Sequence, residues 1–195
     1  MVKKAKKTKD LSDSDLVKII IKKNPESYRE IVRRYQRKLF VYLYHLTGSK
    51  EETEDILQNV FVKVYNNLKK FNTQKKFSSW IYRIAHNEAV NYLKKRSQKR
   101  FVSWEDVMMS KEKMEISSHE RSPLDHWIKK ELKKEMEAAL DKLPSKYKEV
   151  LILRYFTEKS YEEMSEILKR PVNTVGTLIN RAKKKLMDVI ESSWK

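Results

Sequence analysis

Cysteine is absent from the 195-residue chain, so no disulfide and no thiolate-held zinc or iron–sulfur site is open to it, and a reducing compartment fits. Glycine occurs twice and proline four times, where average usage would give about 14 and about 10. That scarcity excludes collagen-like repeats and Gly-rich phosphate loops, and argues against sheets joined by tight turns. Long apolar runs are missing too. The longest aliphatic stretch, Val150 to Leu153, falls far short of the roughly 20 residues a membrane-spanning helix needs. The basic start, Met1 to Asp10, has no apolar stretch behind it of the kind a signal peptide carries. These absences predict a soluble, cytoplasmic protein without stable membrane insertion. His45, His86, His119 and His126 lie far apart, none in a metal-ligand spacing, and no cofactor is called for.

What is abundant is positive charge. Lys and Arg total 44 against 27 Asp and Glu, a formal charge of +17 with a pI near 9.8, the footprint of a polyanionic partner, usually nucleic acid. With 39% hydrophobic and 10% aromatic residues there is material for packed cores despite the 36% charge. The charge is unevenly spread: residues 1–100 carry 25 basic and 10 acidic side chains, 101–126 carry 3 and 6, and 127–195 carry 16 and 11. The middle lacks any sustained period and reads as a flexible acidic linker with docking points at Trp104 and its methionines. The predicted organisation is all-α: a basic arm and the start of the first helix over 1–24, a three- to four-helix domain over 25–100, a linker over 101–127 and a second small helical domain over 128–195.

Apolar residues at spacings of three and four predict the helices. Tyr28, Ile31, Val32, Tyr35, Leu39, Leu43 and Leu46 make one stripe, ended by Gly48. Ile56, Leu57, Val60, Phe61, Val64 and Leu68 make the next, with Asp55, Gln58, Asn59 and Val62 on its other side. After Phe71 comes a polar loop from Asn72 to Lys76, then a helix from about Ser78 through Trp80, Ile81, Ile84, Ala85, Tyr92 and Leu93. In the second domain a helix through Leu132, Met136, Ala139, Leu140 and Leu143 stops before Pro144, and another runs from about Ser145 to Phe156. Ser160-Tyr-Glu-Glu163 is a capping box, in which hydroxyl and carboxylate satisfy free backbone N–H groups at a helix start. The short helix it opens, with Met164, Ile167 and Leu168 inward, breaks at Lys169-Arg170-Pro171; a longer one follows with Val175, Ile179, Ala182, Leu186 and Val189 buried. The pair predicts a helix-turn-helix.

The outer face of that last helix presents Asn173, Thr174, Thr177, Asn180, Arg181 and Lys184, short polar groups for base edges and cations for phosphates. The rings of Tyr65, Phe71, Phe77, Trp80 and Tyr82 alternate with Lys69, Lys70, Lys75, Lys76 and Arg83. That pattern suits single-strand binding, although most of these rings better suit a small core, where Phe71, Phe77 and Trp80 supply the bulk. Glu51, Glu52, Glu54 and Asp55 cluster where a helix N-terminus favours acids, or where a basic partner docks. A metal-dependent nuclease would need further acidic or histidine partners that the sequence does not supply.

Four blocks then resemble, in order, the two domains of bacterial extracytoplasmic-function (ECF) sigma factors: Glu52 to Tyr65, Phe77 to Asn87, Leu143 to Phe156, and Ser160 to Leu168 with Pro171 to Val175. The resemblance covers roughly residues 25–98 and 130–190. It implies a sigma region 2 domain, a C-terminal sigma region 4 helix-turn-helix, and a transcription initiation factor that joins core RNA polymerase, recognises promoters and promotes strand opening. It assigns polymerase docking to Asp55, Gln58, Asn59 and Val62. Capture of an unstacked non-template base of the minus-ten element falls to Asn72, Thr73, Gln74, Lys75, Lys76, Ser79, Arg83 and Asn87. Reading of the minus-thirty-five duplex falls to Asn173, Thr174, Thr177, Arg181 and Lys184. Partners implied are core polymerase, promoter DNA and an anti-sigma factor, with no enzymatic activity. The sequence departs from the family at Lys169, a turn position commonly Gly, at Gly176 and Leu178, where relatives commonly place cations, and at Asn91, commonly Asp. The two missing cations predict a weaker or altered duplex contact. The rivals are an operator-binding regulator with a helical N-terminal domain, which would not need Asp55 and Gln58 exposed, and a DNA-processing enzyme.

Overall fold

The computed structural model of the chain describes residues 11–22, 24–100 and 135–193. The start of the basic arm, the linker expected at 101–127 and Leu132 lie outside them. Among the described residues all regular structure is helical, and the chain divides into two compact units.

The N-terminal unit contains α1 (Asp13–Lys22), a 3-10 turn (Pro25–Ser27), α2 (Tyr28–Thr47), α3 (Lys50–Asn67), a second 3-10 turn (Leu68–Lys70) and α4 (Phe77–Arg100). Helices α2, α3 and α4 pack on one another, and α1 lies against α2 and the Leu68–Lys70 turn. Ile31, Leu39, Leu43, Ile56, Val60, Val64, Ile81 and Ala85 fill the core, the positions the three-and-four spacing selects. Gly48 ends α2 in the left-handed region at φ 74, its N–H donating to the Tyr44 carbonyl at 2.8 Å, a conformation costly to residues with a Cβ. Ser49 caps α3, and Glu51 and Glu52 occupy its first turn, where the helix dipole favours acids. Two ion pairs tie α4 to α3: Arg96 to Glu52 at 2.7 Å and Lys63 to Glu88 at 2.6 Å.

Helix α1 was not expected as a helix of its own. Ser12 accepts from the Asp15 N–H at 3.2 Å and donates its hydroxyl to the Asp15 carboxylate at 2.7 Å, while Leu16, Val17 and Ile20 are buried. Ten residues give only three inward contacts, too few to register as a period beside the lysines around them.

In the C-terminal unit, residues 135–141 are helical. They precede α5 (Ser145–Leu151), a π-helical turn (Ile152–Phe156), α6 (Tyr161–Leu168) and α7 (Val172–Ser193), with α5 against α7. Val150, Leu151, Leu153, Met164, Ile167, Val175, Ile179 and Ala182 form the core. Three inward expectations are corrected. Met136 is exposed, and Leu186 and Val189 are only half-buried, because the 22-residue α7 is longer than the segment packed on it.

Candidate nucleic-acid interface

On α3 the sequence period separates two faces cleanly. Ile56, Leu57, Val60 and Val64 are buried, whereas Asp55, Gln58, Asn59 and Val62 are all exposed, Val62 by 59%. Positions 55, 58, 59 and 62 follow the i, i+3, i+4, i+7 spacing of one helical face. Tyr65, 46% exposed, continues the stripe by one more turn; its ring meets Tyr28 edge-on at 5.0 Å, and the Tyr28 hydroxyl donates to the Phe61 carbonyl at 2.7 Å. The sequence reading placed Tyr65 among rings for single strands, and the same spacing that selects Val62 would have selected it here. Of the acidic cluster, Glu52 is turned to Arg96 and to Tyr92, whose hydroxyl is raised by burial and by that carboxylate. Glu51, Glu54 and Asp55 face solvent.

The loop between α3 and α4 is shaped by Asn72. Its side-chain carbonyl accepts from the Gln74 N–H at 2.9 Å and its backbone carbonyl from the Lys75 N–H at 3.0 Å, an Asx-type turn. The Lys76 carbonyl accepts from the Trp80 N–H at 3.3 Å and so joins the loop to the first turn of α4. Asn72, Gln74, Lys75 and Lys76 are exposed and Thr73 is half-buried. Beneath them Phe71, Phe77 and Trp80 form a cluster with ring centroids 5.1 to 5.4 Å apart, joined by Tyr35 at 5.6 Å from Phe77. Phe71, Phe77 and Tyr82 are buried and Trp80 is half-buried, so most of the rings in the aromatic-basic stretch serve as core. Arg83, one turn beyond Ser79 on α4, is half-buried. Asn87 is exposed on α4.

Ser79 does not join them. It is 1% exposed, and its hydroxyl has no hydrogen-bond partner. It falls on the inward side of the first turn of α4, between the buried Phe77 and Ile81, a position that spacing alone did not separate from its outward neighbours.

On α7, Asn173, Thr177, Arg181 and Lys184 are exposed and Thr174 is half-buried. The Thr177 hydroxyl donates to the Asn173 carbonyl at 2.9 Å, leaving its oxygen as an acceptor and its methyl as an apolar contact. Lys183 sits over the exposed Tyr155 ring at 5.8 Å, and the tyrosine beside it holds the ammonium above its ordinary value. Gly176 leaves space beside Tyr161, where an added Cβ would lie 3.6 Å from the ring. Lys169, the non-glycine residue in the turn, adopts the left-handed conformation at φ 52. Among the described residues no group of His, Asp or Glu is arranged to hold a metal ion, and no helix is long and apolar enough to cross a membrane.

Residues 31–99 match the family model described as Sigma-70 region 2, and residues 133–186 match Sigma-70, region 4. The ECF RNA polymerase sigma factor SigW of Bacillus subtilis is 33% identical over 87% of this chain and 92% of its own length. The chain belongs to the ECF sigma-factor family. The ECF sigma-E factor of Haemophilus influenzae is 30% identical over 93% of this chain and 96% of its own length. The fold is shared with the sigma factor RpoE of Bartonella quintana, solved with the anti-sigma factor NepR: TM-score 0.69, 18% identity, 85% of this chain and 98% of that one. It is also shared with CnrH, solved with the cytosolic domain of CnrY: TM-score 0.66, 20% identity, 92% and 97%. An ECF sigma factor is a transcription initiation factor, and its relatives are transcription factors rather than catalysts. The operator-binding regulator is not favoured.

Proposed function

We propose that region 2 docks on core RNA polymerase through Asp55, Gln58, Asn59 and Val62, that the Asn72–Lys76 loop with Arg83 and Asn87 captures an unstacked non-template base of the minus-ten element, and that α7 reads the minus-thirty-five duplex through Asn173, Thr174, Thr177, Arg181 and Lys184. Extracting a base costs a few kcal/mol, offset by a pocket and by phosphate contacts. Lys75, Lys76 and Arg83 supply the cations, beside the half-buried Trp80. Ser79 supports base capture from beneath rather than by touching DNA. With polymerase as its partner the chain acts in the cytoplasm, and an anti-sigma factor is the partner that holds it inactive.

The carrying observation is the α3 stripe: a carboxylate, two amides and a 59% exposed valine on the outer face of a helix whose other face is core. Exposed substitutions usually move stability by less than about 0.5 kcal/mol, so Asp55→Arg with Gln58→Ala is a clean probe. Capture of core polymerase should fall while circular dichroism and melting stay as in the parent, and run-off transcription should fall with it. Undiminished capture by the double variant would remove α3 as the docking element.

A further inference from the structure

Helix α1 reaches the loop that the proposed function places on the unwound strand. The Ser14 hydroxyl, one residue into α1, donates to the backbone carbonyl of Thr73 at 3.3 Å, across 59 positions of sequence. Its neighbour Asp13 accepts from Arg34 at 2.7 Å and from the Tyr35 hydroxyl. Tyr35 in turn meets Phe77, and Phe77 meets Phe71 and Trp80, the rings under the loop. Leu16, Val17 and Ile20 seat α1 in the core, and α1 also touches the Leu68–Lys70 turn that leads into the loop. The start of α1 is thus linked to the loop region twice, directly through a backbone carbonyl and indirectly through Tyr35 and the rings it meets.

We propose that Ser14 is a positioning residue for strand opening, holding the Asn72–Lys76 loop in the conformation that receives the displaced strand. The inference rests on the proposed role of that loop. Inside the loop the bonds are local, from Gln74 and Lys75 to Asn72, and its last residue, Lys76, is joined to α4 through the Trp80 N–H; the bond at Thr73 reaches a different helix. Ser14 supplies a long-range anchor at Thr73. An unanchored loop samples other orientations, and the fraction competent for capture falls, lowering the apparent affinity for the strand by the same fraction.

The test uses the full chain with Ser14→Ala and the conservative Ser14→Thr, which keeps the hydroxyl. In the free protein, amide exchange at residues 72–76 should quicken in Ser14→Ala while α2, α3 and α4 exchange as in the parent. With core polymerase, permanganate reactivity on a closed promoter should fall by about two- to fivefold, the scale of one hydrogen bond, and recover on a template with a preformed bubble; Ser14→Thr should restore both readings. Unchanged exchange in Ser14→Ala overturns the anchor, as does a loss that is equal on both templates. Faster exchange with normal opening also overturns the positioning role, and the same outcome for Lys75→Glu with Lys76→Glu places that failure in the loop's function rather than in its anchor.

Discussion

Ser160 and Glu163 satisfy each other's backbone: the Ser160 hydroxyl oxygen accepts from the Glu163 N–H at 3.2 Å, and the Glu163 carboxylate accepts from the Ser160 N–H at 3.0 Å. Both bonds of the capping box are formed, at the start of the helix that leads into the turn before α7. Ser160→Ala should cost about 1 kcal/mol in the C-terminal unit, read as a lower calorimetric midpoint for that unit with the N-terminal unit unmoved. A midpoint within error of the parent would show that water replaces the cap without cost.

The turn after α6 carries strain that glycine would relieve. Lys169 sits at φ 52, where a residue with a Cβ costs about 1–2 kcal/mol; the Arg170 N–H donates to the Ser165 carbonyl at 3.2 Å, fixing the turn. Lys169→Gly should stabilise by about 0.5–1 kcal/mol once the greater freedom of unfolded glycine is subtracted. Gly176→Ala should add about 1 kcal/mol more, since its Cβ would meet Tyr161 at ordinary contact distance. Urea midpoints measure both, and a decrease in either contradicts the reading of these two positions.

The helices legible in the sequence are α2, α3, α4 and α7, long enough to repeat their apolar spacing several times, and the short α5 and α6, marked off by Pro144, the Ser160–Glu163 box and Pro171. The exposed face of α3 was legible for the same reason, because Asp55, Gln58, Asn59 and Val62 fall off the apolar period of Ile56, Leu57, Val60 and Val64. Residues at helix starts were not. Ser79 and Arg83 are one turn apart, yet Ser79 is buried and Arg83 half-buried, and only the packing of Phe77 and Trp80 decides which side of the first turn faces inward. Ser14 was invisible because its partner is a backbone carbonyl 59 residues away, which leaves no trace in side-chain pattern; the Ser12-x-x-Asp15 cap was the one available sign of α1.

Alkaline pH should weaken the N-terminal unit through two tyrosines. Burial raises the Tyr28 hydroxyl, and burial together with Asp13 raises Tyr35, both from an ordinary value of 10.0. A raised folded-state value means that the neutral form is favoured by folding. Stability is therefore intact below about pH 10 and lost above it, by about 1.4 kcal/mol per pH unit for each tyrosine. Urea midpoints between pH 9 and 11 should show this decline, shallower in Tyr28→Phe. An identical slope in that variant would rule out Tyr28 as a source.

On α7 the two kinds of contact should separate. Thr177→Ala removes an exposed methyl and acceptor from the outer face of α7, and should change base preference in the upstream element. Lys184→Ala should weaken binding to every sequence alike and reduce the salt slope by about one unit. Filter binding of a randomised upstream element at several salt concentrations distinguishes them. If both variants bound every sequence as the parent does, α7 would not be the reader.

Strand opening is the step that no duplex-binding regulator performs, and Lys75 and Lys76 are the residues to challenge it with. Both are exposed in a loop whose backbone is shaped by Asn72, just before the helix that carries Trp80 and Arg83. Lys75→Glu with Lys76→Glu removes two phosphate partners and adds repulsion, a cost that grows as salt is lowered. The rings below, Phe71 and Phe77, are buried and do not depend on either ammonium group, and the α3 stripe is on another helix, so folding and polymerase capture should survive. With core polymerase, thymines around the start site should lose permanganate reactivity on a closed promoter and regain at least part of their transcription on a preformed bubble, because the bubble supplies the unstacked bases that the variant cannot extract. Normal reactivity on the closed promoter would mean that the loop has no part in melting, and would leave its lysines as solvated surface over an aromatic core.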